Sequence, residues 1–346
     1  MSVVKLPKVL QVADAVKRYE SFSDVEYAEP DFLLSAVQTA TPSPNDTDYP
    51  NLNNTGQSGG TTDADIDVPE AWGSTTGSQD ATVAVIDTGV DIGHADLKNN
   101  VWTNPDEVAG NGLDDDSNGY VDDVHGWDFR NEDNVVFDAD EGSHGTHVAG
   151  IIAAEGNNGV GITGVSWRTK IMPLKFIGPT TGYTSDAAQA LNYAVTEGVK
   201  ISYGCAGCFS QTLLDAIRKA DAAGHLYIAA AGNDGANNDA TASYPSGYDS
   251  ANVVSVAATD GTDTLASFSN YGSSSADLAA PSVSILSTLP GNAYGYKSGT
   301  SMAAPHVAGV AALMKILLKN GFRTVRHPVV HRTDLTRTNF DPLALI

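Results

Sequence analysis

The chain has 346 residues, 41% hydrophobic and 18% charged, with 34 glycines and a formal net charge of −23. That composition excludes disorder, and the acidity excludes a nucleic-acid partner, because a negative surface repels phosphate backbones. No apolar run approaches the ~18 residues of a membrane span, the amino terminus lacks the apolar core of an export signal, and two cysteines exclude a disulfide framework.

Residues 1–34 predict a short amphipathic helix, with Val9, Val12, Val16 and Tyr19 at helical spacing. A strand follows, in which Val25 and Tyr27 alternate toward Pro30. Residues 35–66 are rich in Thr, Ser, Pro, Asn, Asp and Gly and read as linker. A regular alternation then begins. Strands are expected over 81–86, 171–176, 199–202, 226–231 and 253–257. Helices are expected over 144–155, from a Ser185 cap to Gly198, from a Ser210 cap to Gly224, and over the apolar stretch 301–318. This order predicts an α/β fold of three layers, a mainly parallel central sheet covered by helices on both faces. Sites in such sheets form beyond the carboxyl ends of the strands. Acid concentrates between Asp106 and Glu141, where 13 carboxylates accompany one Arg, whereas the tail from Gly321 is net basic. A boundary is therefore expected near Asn320.

Four residues stand at site-forming positions. Asp87 ends the apolar strand V-A-V-I, where a charge needs a partner. His144 opens a helix in S-H-G-T-H-V-A-G, and histidine titrates near neutrality as a general base must. His147, one turn further in, reads as packed, although this segment alone leaves both histidines open. Asn233 follows a strand in A-A-A-G-N-D-G, where its amide could donate to an oxyanion. Ser301 opens the last helix in G-T-S-M-A-A-P-H-V-A-G, where the amino end supplies positive potential. Pro305 inside that helix indicates a fixed local geometry. In the order Asp, His, Asn, Ser on one sheet, these residues supply a nucleophile, a base, an orienting carboxylate and an oxyanion donor.

With these motifs the chain resembles the subtilisin-like serine proteases, the subtilases. V-A-V-I-D-T-G-V (83–90), S-H-G-T-H-V-A-G (143–150), A-A-A-G-N-D-G (229–235) and G-T-S-M-A-A-P-H-V-A-G (299–309) carry the resemblance, whose Asp…His…Ser order is that of subtilisin. It implies a serine endopeptidase that works through an acyl-enzyme, with Asp87, His144 and Ser301 as triad and Asn233 as oxyanion donor. It also implies Ala231, Gly232 and Asp234 beside the substrate, with Asp234 at the base of the primary pocket. Residues 1–34, through D-V-E-Y-A-E-P-D-F (24–32), resemble the later part of a propeptide that acts as an intramolecular inhibitor. Residues 35–63 are then a linker and processing region, 64–320 the peptidase domain and 321–346 a divergent tail whose composition suggests another reading frame. The resemblance further implies protein or peptide substrates, a zymogen, a monomer, and a secreted or cell-surface setting. Tyr244-Pro245 is similar to a family segment with a cis bond.

The loop D-x-D-x-N-G-Y-x-D contains Asp114, Asp116, Asn118, Tyr120 and Asp122, and oxygens at alternate positions around a Gly turn suit Ca²⁺. Position twelve is His125 rather than Glu, so the loop is of subtilase type rather than an EF-hand. Asp46 and Asp48 are candidates for a second calcium site. One stretch departs from the family pattern. Where the substrate strand runs like G-x-x-V-I-N-x-S-W-G, this chain has G-V-K-I-S-Y-G. Ser202, Tyr203 and Gly204 stand for S-W-G, about three residues too soon, so the strand is expected to be shortened or displaced. Cys205 and Cys208 follow as C-x-x-C without a partner motif, and read as incidental thiols or a local disulfide. The competing reading is a catalytically impaired peptide-binding relative.

Overall fold

The computed structural model describes residues 12–22, 52–139, 142–178, 181–204 and 207–319. The chain divides into two units, Met1–Ala40 and Thr41–Ile346. In the first, helix α1 (Val12–Glu20) forms where the helical period predicts it, with Asp14 in its first turn and Lys17 and Arg18 in its last, matching the helix dipole. The strand expected around Val25 and Tyr27, Asp46, Asp48, Cys205 and the tail lie outside the described residues.

The second unit is built on seven parallel strands. These are β1 (Thr82–Asp87), β2 (Trp127–Asp128), β3 (Lys170–Lys175), β4 (Ile201–Gly204), β5 (Leu226–Ala230), β6 (Val253–Thr259) and β7 (Leu278–Pro281), in the order β2-β3-β1-β4-β5-β6-β7. Strands β8 (Ile285–Leu289) and β9 (Ala293–Lys297) pair as a separate antiparallel hairpin. The helices are α2 (Val68–Trp72), α3 (His144–Ala153), α4 (Thr184–Thr196), α5 (Gln211–Ala222) and α6 (Thr300–Lys319).

Side-chain alternation along β1 explains why its sequence is apolar throughout. Val83 and Val85 join a core with Val148 and Ile152 of α3 and Ala304 and Ala308 of α6. Ala84 and Ile86 join the opposite core with Leu191 and Ala194 of α4 and Leu214 and Ile217 of α5. The three layers are those the sequence predicts. Each such Val, Leu or Ile contributes roughly 1.5–3 kcal/mol by leaving water. Between β1 and its neighbours β3 and β4 the strand order changes direction, so the carboxyl end of β1 faces the crevice where such sheets place their sites.

Local signals hold with two corrections. Ser210 caps α5, accepting the Leu213 N–H at 3.3 Å. Ser185 does not cap α4: the helix begins at Thr184, and the Ser185 hydroxyl bonds Asp186 instead. Helix α6, at 20 residues, is long and apolar enough to cross a membrane by length and composition, contrary to the expectation from the sequence. Its apolarity has another cause, because it packs against β1, β4 to β7 and α3 and is mostly buried. The sequence reading missed α2, β2, β7 and the hairpin, which are short segments without a full period of either pattern.

Candidate active site

Asp87 is the last residue of β1, fully buried, and His144 is the first of α3. The His144 Nδ1 lies 2.9 Å and 2.8 Å from the two Asp87 carboxylate oxygens. A carboxylate only accepts, so Nδ1 carries the proton and Nε2 is the basic nitrogen. Burial pushes the His144 pKa down, but the charge and hydrogen bonds of Asp87 outweigh it and hold the pKa above the ordinary value. Thr88, which the sequence reading passed over, ties the pair together. Its N–H donates to Asp87 Oδ1 at 2.7 Å, and its hydroxyl accepts the Gly145 N–H at 3.0 Å. Gly145 is required here, since a Cβ would meet the Gly89 carbonyl at 2.3 Å.

His147 is fully buried, with Nε2 3.1 Å from the carbonyls of both Ile285 and Gly295. Burial lowers its pKa to about 4. It is locked against the β8–β9 hairpin, and of the two histidines only His144 meets Asp87.

Ser301 is the second residue of α6 and half-buried, and its hydroxyl has no hydrogen-bond partner among the described residues. Its N–H belongs to the first helical turn, where amides lack intrahelical acceptors. Pro305 has no N–H to bond the Ser301 carbonyl four residues back. Asn233 lies beyond β5, exposed, and its Oδ1 accepts both the N–H and the hydroxyl of Thr300, at 2.8 and 3.0 Å. Those bonds assign Oδ1 to Thr300 and leave Nδ2 as the free donor.

Other expected contacts are corrected by burial. Ser202 and Tyr203 are fully buried in β4, which pairs with β1 on one edge and β5 on the other, so no peptide reaches their backbone. The Ser202 hydroxyl instead donates to His225 Nε2 at 2.7 Å. Gly204 is also buried, against the Tyr227 ring. The early S-Y-G has been drawn into the sheet, as its spacing foreshadows. Ala231 and Gly232 are buried, with their backbone groups bonded to Val256, Asn238, Thr300 and Asn270. Asp234 is exposed, and its N–H donates to Asn270 Oδ1. The Tyr244-Pro245 bond is cis, and Cys208 is exposed.

Lys175, another residue the sequence reading missed, ends β3 opposite Asp87 in register. Its fully buried ammonium bridges Asp128, at 2.7 Å, and Asp138. That pair of bonds anchors the segment leading to α3.

In the acidic loop, carboxylate oxygens of Glu107, Asp114 and Asp116 lie within 4.8 Å of one another. The Glu107 Oε2 is buried without a hydrogen-bond partner. Like charges gathered this closely, with one orphaned buried oxygen, suit a hard cation. Asn118 lies alongside, its amide donating to Asp116 and Asp123. Asp122 is not in that group, and its oxygens accept the Asn111 and Gly112 N–H groups. The Tyr120 ring packs on Trp127, Phe129 and Tyr193, which leaves its main-chain carbonyl as the ligand that a calcium loop takes at this position. Glu107, outside the D-x-D pattern, stands in the cluster and Asp122 does not.

A sequence profile described as "Subtilase family" matches residues 78–340. The chain belongs to the subtilase family of subtilisin-like serine peptidases. This subtilase is 41% identical over 311 residues to the thermophilic serine proteinase of Bacillus sp. (strain AK1), covering 89% of this chain and 67% of that protein. It is 36% identical over 344 residues to the extracellular protease of Xanthomonas campestris pv. campestris, covering 90% of this chain and 56% of that protein. The chain therefore spans about two thirds and just over half of these relatives' lengths. Among solved structures it is similar to a protease from Pseudoalteromonas arctica PAMC 21717, with a TM-score of 0.60 and 33% identity, covering 80% of this chain and 87% of that one. Relatives include proteases named extracellular, cell wall-associated and intracellular.

Proposed function

We propose that this chain is a serine endopeptidase that hydrolyses peptide bonds of protein substrates through an acyl-enzyme. The observation that carries the reading is the pairing of His144 Nδ1 with the buried Asp87 carboxylate, 2.8 Å apart. It orients the imidazole and leaves Nε2 to act as base. Ser301 Oγ attacks the scissile carbonyl carbon while His144 Nε2 takes its proton. The oxyanion is met by Asn233 Nδ2 and the Ser301 N–H. As the carbon–nitrogen bond breaks, His144 returns the proton to the departing amine. Water, deprotonated by the same nitrogen, then releases the acid and restores Ser301. Asp87 stays ionised throughout.

Glu107, Asp114 and Asp116 would hold Ca²⁺, which would relieve their mutual repulsion and brace the loop before α3. Residues 1–34 act as an inhibitory propeptide segment, 35–63 as processing linker, 64–320 as peptidase domain and 321–346 as divergent tail. The enzyme works as a monomer outside the cell or at its surface, a setting supported by the calcium-type cluster and by the relatives named extracellular.

A fluorophosphonate probe, applied with and without calcium, tests this reading. Labelling at Ser301, lost in Ser301→Ala, is the expected result. Refolded protein that stays unlabelled in both conditions instead favours an impaired peptide-binding relative. The specific observation behind that second reading is that Ser202 and Tyr203 are spent inside the sheet.

A further inference from the structure

Asn233 is exposed, and its own main chain makes no hydrogen bond among the described residues. What fixes it comes from the residues on either side. The Asn270 N–H donates to the Gly232 carbonyl at 2.9 Å. The Asn270 Oδ1 accepts the Asp234 N–H at 2.9 Å and the Ala236 N–H at 3.1 Å. One buried residue therefore grips the loop just before Asn233 and just after it. The grip is close, since a Cβ on Gly232 would meet the Asn270 Nδ2 at 2.3 Å. Asn270 is itself held. Its carbonyl accepts the Ser269 hydroxyl at 2.8 Å, and the same hydroxyl oxygen accepts the Ala258 N–H of β6 at 2.9 Å. A chain of hydrogen bonds thus runs from the central sheet through Ser269 and Asn270 to the loop of Asn233.

Thr300 and Asn270 divide the task. Thr300 bonds the side-chain Oδ1 of Asn233 and so fixes which amide atom is free. Asn270 bonds only main-chain groups of this loop and so fixes where that side chain starts. An oxyanion donor acts at about 2.7–3.1 Å from an oxygen that carries charge only in the transition state. A site loosened by about 0.5 Å therefore loses kcat rather than substrate affinity. We propose that Asn270 is a positioning residue that holds the Asn233 amide at the oxyanion site by bracing the main chain on both sides of it. The brace needs one acceptor oxygen that reaches two N–H groups, which neither Ala nor the shorter Ser supplies. This inference rests on the peptidase reading and adds a buried residue to its site.

A double-mutant cycle on kcat tests it, in the full chain with one quenched fluorescent peptide. Asn270→Ala should lower kcat about tenfold to a hundredfold with KM held, since two hydrogen bonds are lost. That stays below the loss of about 10²–10³ when subtilisin is deprived of an oxyanion donor, a value carried over from that enzyme. In an Asn233→Ala background the same substitution should change kcat by less than about twofold, because the donor it positions is gone. A defect that only weakens the fold would cost as much in either background. Asn270→Ser, milder at a buried polar site, gives the same cycle if the Ala variant does not fold. Amide hydrogen exchange is a second arm that needs no turnover. The Asp234 and Ala236 amides should exchange about tenfold faster in Asn270→Ala or Asn270→Ser, with the β5 amides unmoved. If the parent hydrolyses nothing, the peptidase reading falls, and faster exchange at those two amides still supports the brace. Equal costs in both backgrounds, an effect confined to KM, or unchanged exchange at Asp234 and Ala236 overturns the proposal.

Discussion

Thr300 gives both its backbone N–H and its hydroxyl to the Oδ1 of Asn233, at 2.8 and 3.0 Å. The residue before the candidate nucleophile thereby decides which end of the Asn233 amide is free. Thr300→Val keeps the shape and the N–H but removes the hydroxyl, so kcat should fall while KM holds. Loss of an oxyanion donor costs about 10²–10³ in kcat in subtilisin, a value carried over from that enzyme, and Asn233→Ala should approach it. Thr300→Val should lose less, about tenfold, since one hydrogen bond contributes roughly 0.5–1.5 kcal/mol. A change confined to KM would remove the oxyanion role.

The Asp87–His144 pair sets a pH dependence. Asp87 raises the His144 pKa above 6.5, the ordinary value, against the opposing effect of burial. Hydrolysis requires the neutral imidazole, so the acidic limb of kcat/KM should lie above pH 6.5. The raised value also means that the folded state favours the protonated ring. That stabilisation is full below the unfolded pKa and is lost as pH rises through the folded one. Asp87→Asn leaves burial unopposed, so the residual activity should have its acidic limb shifted to lower pH. A limb that stays in place would show that Asp87 does not govern this imidazole.

Glu107 discriminates between calcium arrangements. If the cluster binds the ion, chelation should lower the melting temperature, by the equivalent of ~2.7 kcal/mol where calcium had stood at 100 times Kd. Glu107→Gln and Asp114→Asn should each remove most of that response. Asp122→Asn should keep it, because Asp122 is not among the three carboxylates that converge. Calorimetry with and without chelator reads the difference. Equal responses in the Glu107 and Asp122 variants would refute the assignment.

Ser202 offers a test of the sheet interior. His225 donates from Nδ1 to the Val199 carbonyl at 2.9 Å, so its Nε2 must accept, and the Ser202 hydroxyl is the donor. Burial lowers the His225 pKa to about 4, which keeps that nitrogen neutral. Ser202→Ala strands a buried acceptor and should cost about 1–3 kcal/mol in urea unfolding, with m unchanged. An unmoved midpoint would mean that Ser202 is not buried as described.

The sequence by itself determined the three-layer frame and the residue types of the site. Both rest on short-range physics: alternation along β1, the cap at Ser210, and chemistry-bearing residues at strand ends and helix starts. Tertiary structure decided what depends on contacts between distant residues. His144 and His147 sit on one helix turn, and only the approach of Asp87, 57 positions away, separates their roles. The Asn233 amide is oriented by Thr300, 67 positions on. The S-Y-G stretch looks like a substrate strand in sequence, yet register with β1 and β5 places it inside the sheet. Glu107 meets Asp114 and Asp116 through a loop fold that no residue spacing encodes. Local periodicity and capping act within a few residues, whereas the position of a carboxylate oxygen is set by how separate segments pack.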